Sequence, residues 1–125
     1  MSIPVDLDRL AEVAGGYPAA YLLTVSADGR VKAVSVEPDV RDGVALLQPS
    51  RGSGRNLGTN PAATLLFPPP EPRGYTLLVD GTATAGDDAI RFIPGTAVLH
   101  RPARYADGPP PPDAVSACGN DCRPV

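Results

Sequence analysis

Proline and glycine are so frequent in this chain that long helices cannot be its main building blocks. The 125 residues include 16 prolines and 13 glycines, and both residue types interrupt regular structure or weaken it. The chain is still 42% hydrophobic and only 20% charged, which is typical of a globular protein with a packed core. Because it contains no tryptophan, the core is predicted to consist mainly of valine, leucine and alanine. We expect short elements, many turns and a single globular core.

The hydrophobic pattern predicts a β-rich fold with one or two small helices. One apolar stripe with helical spacing lies between Asp6 and Gly16, so a short helix is expected there. The remaining apolar runs are short, rich in β-branched residues and separated by turn signals such as Asp28-Gly29. They predict strands at 20–26, 31–36, 44–47, 62–67, 75–85 and 90–100. Six or seven such strands indicate a small β-barrel or sandwich.

Two positions within the predicted strands leave alternatives open. Asp80-Gly81 lies inside the longest strand candidate, where it predicts either a hairpin turn or a β-bulge. Pro94-Gly95 could break the last strand, because proline cannot donate a hydrogen bond to a neighbouring strand.

The charge balance and the N-terminal residues exclude several classes of function. The formal net charge is −3, which argues against a general nucleic-acid or anionic-membrane surface. No run reaches the 18 or so apolar residues of a membrane span. Residues 1–6 have no basic region followed by an apolar run, so they are not interpreted as a secretory signal. We therefore expect a cytoplasmic protein with no nucleic-acid or membrane partner.

A segment rich in glycine, serine and arginine, residues 49–60, is the best candidate binding element. We predict a loop here, which could lead into a short helix before Asn60-Pro61. Arg51 and Arg55 can form charge-assisted bonds with a phosphate. Ser50 and Ser53 can add hydroxyl groups, and the glycines between them allow backbone N–H groups to approach closely. The segment therefore predicts an anion site; the alternative is an ordinary solvated loop.

The C-terminal residues 102–125 are predicted to be a proline-rich tail, separate from the domain formed by residues 1–101. Four consecutive prolines begin at Pro109, and few large apolar residues follow. Cys118 and Cys122 are interpreted as free thiols, with a local disulfide or half of a metal site as alternatives. The tail is either ordered by contact or disordered, and it could fold over a partner subunit. His100, the one histidine, is interpreted as structural or exposed.

The order of these features resembles the pyridoxamine-phosphate-oxidase-like family, the flavin-binding split β-barrels. The resemblance extends from about Leu7 to His100. It depends on four segments taken together: 21–29, 55–61, 63–67 and 79–83. It implies a mainly β fold, a small split β-barrel of six to seven mostly antiparallel strands.

The resemblance also implies a function. Members are typically homodimers that bind FMN or a deazaflavin between the subunits and transfer hydride or electrons to or from a small organic substrate. We therefore predict an FMN- or deazaflavin-dependent oxidoreductase. The alternative is a non-catalytic protein of the same fold that binds a cofactor, haem or another small ligand.

The predicted cofactor-binding residues combine the 49–60 segment with one strand. In the family, the strand corresponding to 31–36 runs along the cofactor ring, which implies roles for Lys32 and Ser35. The complete predicted set is Lys32, Ser35, Ser50, Arg51, Ser53, Arg55 and Asn56. Thr24 and Gln48 could also bond a ligand, but we interpret both as surface residues.

The sequence departs from the family pattern at one point. The family often has Lys or Arg three or four residues before the asparagine that corresponds to Asn56. Here those positions hold Gly52 and Ser53. The departure leaves open whether the chain binds FMN, a deazaflavin or no cofactor.

Overall fold

The computed structural model describes residues 2–115 and shows a curled antiparallel sheet with two short helices. Helix α1 spans Leu10–Ala14 and helix α2 spans Arg51–Thr59, and single 3₁₀ turns occur at Leu7–Arg9 and Ala103–Tyr105. The strands are β1 Ser2–Pro4, β2 Ala20–Val25, β3 Val31–Val36, β4 Asp39–Arg41, β5 Val44–Leu47, β6 Ala62–Phe67, β7 Thr76–Ala85 and β8 Ile90–His100. The predicted mainly β split barrel is confirmed.

The sheet curls because strands that are adjacent in sequence lie at its two ends. The strand order is β3-β2-β6-β7-β8-β5-β4, with β1 added to β8. Only two residues connect β3 to β4, so the two edges must approach each other. Gln48 extends the pairing of β5 with β4 beyond their last paired residues: its Nε2 donates to the Glu37 carbonyl at 2.9 Å, and its Oε1 accepts from the Glu37 N–H at 2.7 Å. The Gln48 side chain therefore acts as a substitute for strand backbone.

The interior of the curled sheet holds the hydrophobic core. Phe92, Leu22, Leu77 and Leu99 are completely buried. As predicted, the core consists mainly of valine, leucine and alanine, with Phe67 and Tyr75 at its margin. Among the described residues, no helix is both long and apolar enough to cross a membrane.

The Asp80-Gly81 step is a bulge, so the second of the two predicted alternatives is correct. Asp80 pairs with Thr96 whereas Gly81 pairs with Pro94, so Gly95 has no opposite residue. Strand β8 continues through Pro94, because a bulge removes the need for a donor at that position. Gly81 is required by the close approach of the strands: a Cβ there would lie 2.2 Å from the Ile93 carbonyl oxygen.

The predicted loop at 49–60 is wrong in its first half, because α2 begins directly at Arg51. Ser50 adopts an extended conformation and its side chain accepts a hydrogen bond from the Ser53 N–H, which is the arrangement of an N-cap. The helix ends before Asn60-Pro61, as expected. Three residues of α2 are buried, Ser53, Asn56 and Leu57, and their i, i+3, i+4 spacing turns one face of the helix toward β2 and β7.

Residues 102–115 pack against the barrel. Arg101 is only 5% exposed, and its guanidinium lies 3.9 Å above the ring of Tyr75. It donates to the Pro109 carbonyl at 2.6 Å and to the Arg73 carbonyl at 3.2 Å. Val115 is 3% exposed and belongs to the core. The predictions for Cys118 and Cys122 fall on residues outside the described range.

Replacing Gly81 by alanine should destabilise the protein by about 1–3 kcal/mol, because the added methyl group must push apart two paired strands. The matched control is Gly58→Ala in α2, where a Cβ would meet no atom within 4 Å. That change should stabilise by about 0.5–1 kcal/mol through helix propensity. Urea denaturation of both variants measures the two free energies of unfolding. Equal effects would contradict this account of the bulge.

Candidate functional site

The N-terminal end of α2 presents unsatisfied backbone donors. The Ser50 Oγ accepts from the Ser53 N–H at 3.4 Å and lies 3.1 Å from the Ser53 Oγ, and the Ser50 carbonyl accepts from the Gly54 N–H at 2.8 Å. Within residues 2–115, the N–H groups of Arg51 and Gly52 donate no hydrogen bond. Free N–H groups at the positive end of a helix favour a negatively charged ligand.

Lys32 reaches this end of the helix from strand β3. A Cβ placed on Gly52 would lie 2.5 Å from the Lys32 Cε and 3.1 Å from its Nζ. The lysine chain therefore occupies the space that any larger side chain at position 52 would need. Lys32 pairs with Thr24 across the strands, which places its side chain on the face of the sheet that carries α2. The structure thus brings Lys32 beside the free N–H groups.

A cleft of about 540 Å³ opens on the other flank of the same helix end. One wall is formed by the start of α2, and the other by the turn between β7 and β8. The lining residues are Pro49, Ser50, Arg51, Gly54, Ala85, Gly86, Asp87 and Ile90. The two walls meet at Gly54, where a Cβ would lie at contact distance, 3.4 Å, from the Cβ of Ala85. Arg51 is exposed and makes no ion pair within the described part of the chain.

Two of the predicted site residues, Ser53 and Asn56, lie on the buried face of α2 and do not line the cleft. Ser53 is fully buried and Asn56 is 8% exposed. The Asn56 Nδ2 donates to the Thr24 Oγ1 at 3.0 Å, and Thr24 is itself fully buried. The interpretation of Thr24 as a surface residue is therefore wrong, because its hydroxyl is needed as the partner of Asn56. These side chains attach α2 to β2 and fix the position of its N-terminal end.

The remaining predicted residues are separated by the sheet or by one helical turn. Arg55 is exposed on α2 one turn beyond Arg51. Ser35 pairs with Tyr21, and because side chains alternate along a strand, Ser35 and Lys32 face opposite sides of β3. The structure thus groups Ser50, Arg51 and Lys32 at the helix end. It places Ser35 on the outer face of the sheet.

Asp87 is a cleft residue that the sequence analysis did not identify. It is exposed in the turn between β7 and β8, directly across the cleft from the start of α2. Its local sequence, Gly86-Asp87-Asp88, is an ordinary turn signal. Asp87 lines the cleft because the folded chain brings this turn close to α2, and the local sequence does not indicate that contact.

The groups with shifted pKa values lie away from this cleft. Burial raises the pKa of Tyr17 to about 12, and its hydroxyl donates to the Tyr75 carbonyl at 2.9 Å. The hydrogen bond from Arg41 lowers the pKa of Asp39, and the hydrogen bond from Arg73 lowers that of Asp107. Within residues 2–115 no cluster of three or more His, Cys, Asp or Glu residues could hold a metal ion. The cleft at α2 is therefore equipped for binding an anion, and we assign no general acid or base there.

Three other clefts have no basic side chain in their lining. The one between Tyr17, Tyr75 and the Pro109–Pro112 segment measures about 200 Å³ and contains Glu71 as its charged residue. A second contains Asp8 and Asp42, and a third has no charged residue. Of these four clefts in the described part of the chain, the one at α2 has a basic residue, Arg51, in its lining.

Several solved structures share the fold at low sequence identity. An FAD-binding protein from Mycobacterium smegmatis aligns over 81% of this chain and 100% of its own, with a TM-score of 0.59 and 14% identity. An F420 reductase aligns over 63% and 87%, with a TM-score of 0.52 and 16% identity. A Corynebacterium glutamicum protein described as a pyridoxamine 5'-phosphate oxidase aligns over 78% and 92%, with a TM-score of 0.56 and 11% identity. These likenesses establish the fold that the sequence resemblance implied.

Two mycobacterial proteins are similar over nearly their whole length. No model of a known protein family matches the chain. Uncharacterized proteins of Mycobacterium bovis and of Mycobacterium tuberculosis are each 42% identical to it over 135 aligned residues, covering 94% of this chain and 92% of theirs. The chain therefore belongs to the family of these two mycobacterial proteins, and it has the pyridoxamine-phosphate-oxidase-like split β-barrel fold.

Proposed function

We propose that this protein is a flavin- or deazaflavin-dependent oxidoreductase that acts on a small organic substrate and binds the cofactor phosphate at the N-terminal end of α2. The observation that carries the proposal is the position of Lys32. Its ammonium group lies against Gly52, beside two free backbone N–H groups, at the end of a helix that also bears Arg51. In a chain of net charge −3, this local excess of donors and positive charge favours an anionic ligand.

Lys32 can also compensate for the missing basic residue at positions 52 and 53, where the sequence departs from the family pattern. The basic residue that the family often carries near position 52 is absent, and Gly52 stands there. The Lys32 ammonium lies close to where a side chain at position 52 would begin. A cation from the neighbouring strand thus replaces a cation from the helix, and the glycine is what makes room for it.

The cofactor would supply the redox chemistry, and this chain would supply binding and orientation. Lys32, Arg51 and the N–H groups of residues 51 and 52 would hold the phosphate. Asn56 and Thr24, through their hydrogen bond of 3.0 Å, would keep the helix end in place. Ser35, on the outer face of β3, is then available to a second copy of the chain or to a cofactor shared with it.

We further propose that the protein is a homodimer formed through the outer face of the sheet. A row of directly paired residues crosses four strands on this face: Tyr21, Leu66, Leu78 and Val98. Tyr21 is 40% exposed, and the other three are only half-buried. We call these four residues the apolar row. A continuous, partly exposed apolar strip of this kind is typical of a surface that pairs with another copy.

The alternative function, a non-catalytic protein that stores or senses a ligand, differs from the first in one measurable respect. An oxidoreductase must change the redox state of its bound cofactor when a substrate is supplied, whereas a storage or sensing protein leaves that state unchanged. For haem in particular, a histidine ligand at the cleft is not available. His100 lies at the opposite end of β8 from Ile90, which lines the cleft, and is hydrogen-bonded to Ser2. Ten residues of strand, at about 3.3 Å per residue, separate the two positions along the chain.

Replacing either basic residue should weaken cofactor binding. We expect Lys32→Ala and Arg51→Ala each to raise the dissociation constant for FMN about 10-fold or more, since a hydrogen bond to a charged group contributes about 1.5–3 kcal/mol. Gly52→Ala should act like Lys32→Ala, because the methyl group displaces the lysine. Arg55→Ala is the control with little expected effect. Quenching of flavin fluorescence measures all four, with a deazaflavin titrated in parallel. Equal affinities for the wild type and the first two variants would refute the phosphate assignment.

Tyr21→Asp should raise the dimer dissociation constant at least about tenfold, because a charge within an apolar interface loses its solvation. Leu46→Asp is the matched control: Leu46 is 42% exposed on β5, away from the apolar row. Sedimentation velocity gives the dissociation constants, and thermal melting verifies that both variants fold. A monomeric wild type at tens of micromolar, or equal effects of the two substitutions, would contradict this interface.

A further inference from the structure

The two walls of the cleft at α2 carry opposite charges that do not meet. Arg51 lies on the helix wall and Asp87 on the wall formed by the β7–β8 turn. Within residues 2–115 neither side chain forms a hydrogen bond or an ion pair, with the other or with any third residue. The ion pairs that the structure shows lie elsewhere, such as Arg73 with Asp107 at 2.8 Å. The cleft of about 540 Å³ therefore separates a cation from an anion.

The backbone holds Asp87 at this position. The Gly86 N–H donates to the Ala89 carbonyl at 2.9 Å, which closes the turn. Ala85, the last residue of β7, abuts Gly54 of α2. The turn is thus fixed against the helix on one side and closed by its own hydrogen bond on the other. Asp87 consequently remains on the cleft wall, although its side chain is exposed to water.

We propose that Asp87 shifts the cofactor preference of the cleft, by disfavouring ligands that carry a second anionic group beyond the phosphate held at Arg51. This inference rests on the proposed function. The cofactor class is then a flavin with one terminal phosphate and a neutral, hydroxyl-bearing chain. A hydroxyl group can donate to the Asp87 carboxylate, whereas a second phosphate or a carboxylate on the ligand meets a like charge that no ion pair within residues 2–115 compensates.

The size of this discrimination follows from Coulomb's law. Two unit charges about 6 Å apart in a water-filled cleft repel enough to change an affinity by about threefold. A pyrophosphate extending from Arg51 toward the opposite wall brings one such charge to Asp87. A single phosphate that stays at the helix end brings no charge close to Asp87. FMN is therefore favoured over FAD, and over deazaflavins that carry further carboxylates.

The test compares riboflavin, FMN and FAD on the 125-residue protein and its Asp87→Asn variant. Removing the charge should raise the affinity for FAD about threefold or more. It should change the affinity for FMN by less than about twofold and leave that for riboflavin, which has no phosphate, unchanged. Asp88→Asn is the matched control, because Asp88 is the adjacent acid and is absent from the cleft lining. Fluorescence quenching gives the constants, and thermal melting shows that both variants fold.

The possible results separate this inference from the proposed function. If the wild type binds FMN and Arg51→Ala weakens it, but Asp87→Asn leaves the FMN-to-FAD ratio unchanged, the role of Asp87 is refuted and the phosphate site stands. If Asp87→Asn and Asp88→Asn change the ratio equally, the effect is one of net charge and the role of Asp87 is again refuted. A wild type that binds none of the three flavins would overturn both.

Discussion

The hydrogen bond between Asn56 and Thr24 is the contact on which the functional part of this structure depends. It joins two buried polar side chains at 3.0 Å, in an interior where an unpaired polar group costs about 1–3 kcal/mol. Sliding α2 along β2 would break the bond and leave both groups unsatisfied. The helix is thereby held in one position. That position places its free N–H groups beside Lys32 and its first arginine at the mouth of a cleft.

Small residues make the rest of this arrangement possible. Gly52 leaves room for Lys32, and at Gly54 the helix contacts the small side chain of Ala85 at the end of β7. Each of these two glycines lowers the intrinsic stability of a helix by about 1 kcal/mol relative to alanine. Packing on β2 and β7 and the cap at Ser50 offset this loss. A helix of nine residues with three glycines would not persist without the sheet beneath it.

The fold was more predictable from the sequence than the site. Alternating apolar residues and turn signals gave the strands, since both are local properties. The start of α2 was missed because glycine and serine dominate its first turn, and only tertiary contact makes that segment helical. The prediction that Thr24 is a surface residue is wrong because the sequence of a strand does not show whether its threonine faces water or a buried partner such as Asn56. The sequence is sufficient to predict that Lys32 and Ser35 face opposite sides of the sheet, since they are three residues apart on one strand.

Strand β3 connects the proposed phosphate site with the proposed dimer interface. Within residues 2–115 it is an edge strand, paired with β2 alone. Its inner face sends Lys32 to the end of α2, and its outer face carries Ser35 directly beside Tyr21, the first member of the apolar row. A second copy placed on that row would therefore border the edge of β3. A ligand held by Lys32 would then lie close to the boundary between the two copies, so assembly of the dimer and completion of the binding site would depend on the same strand.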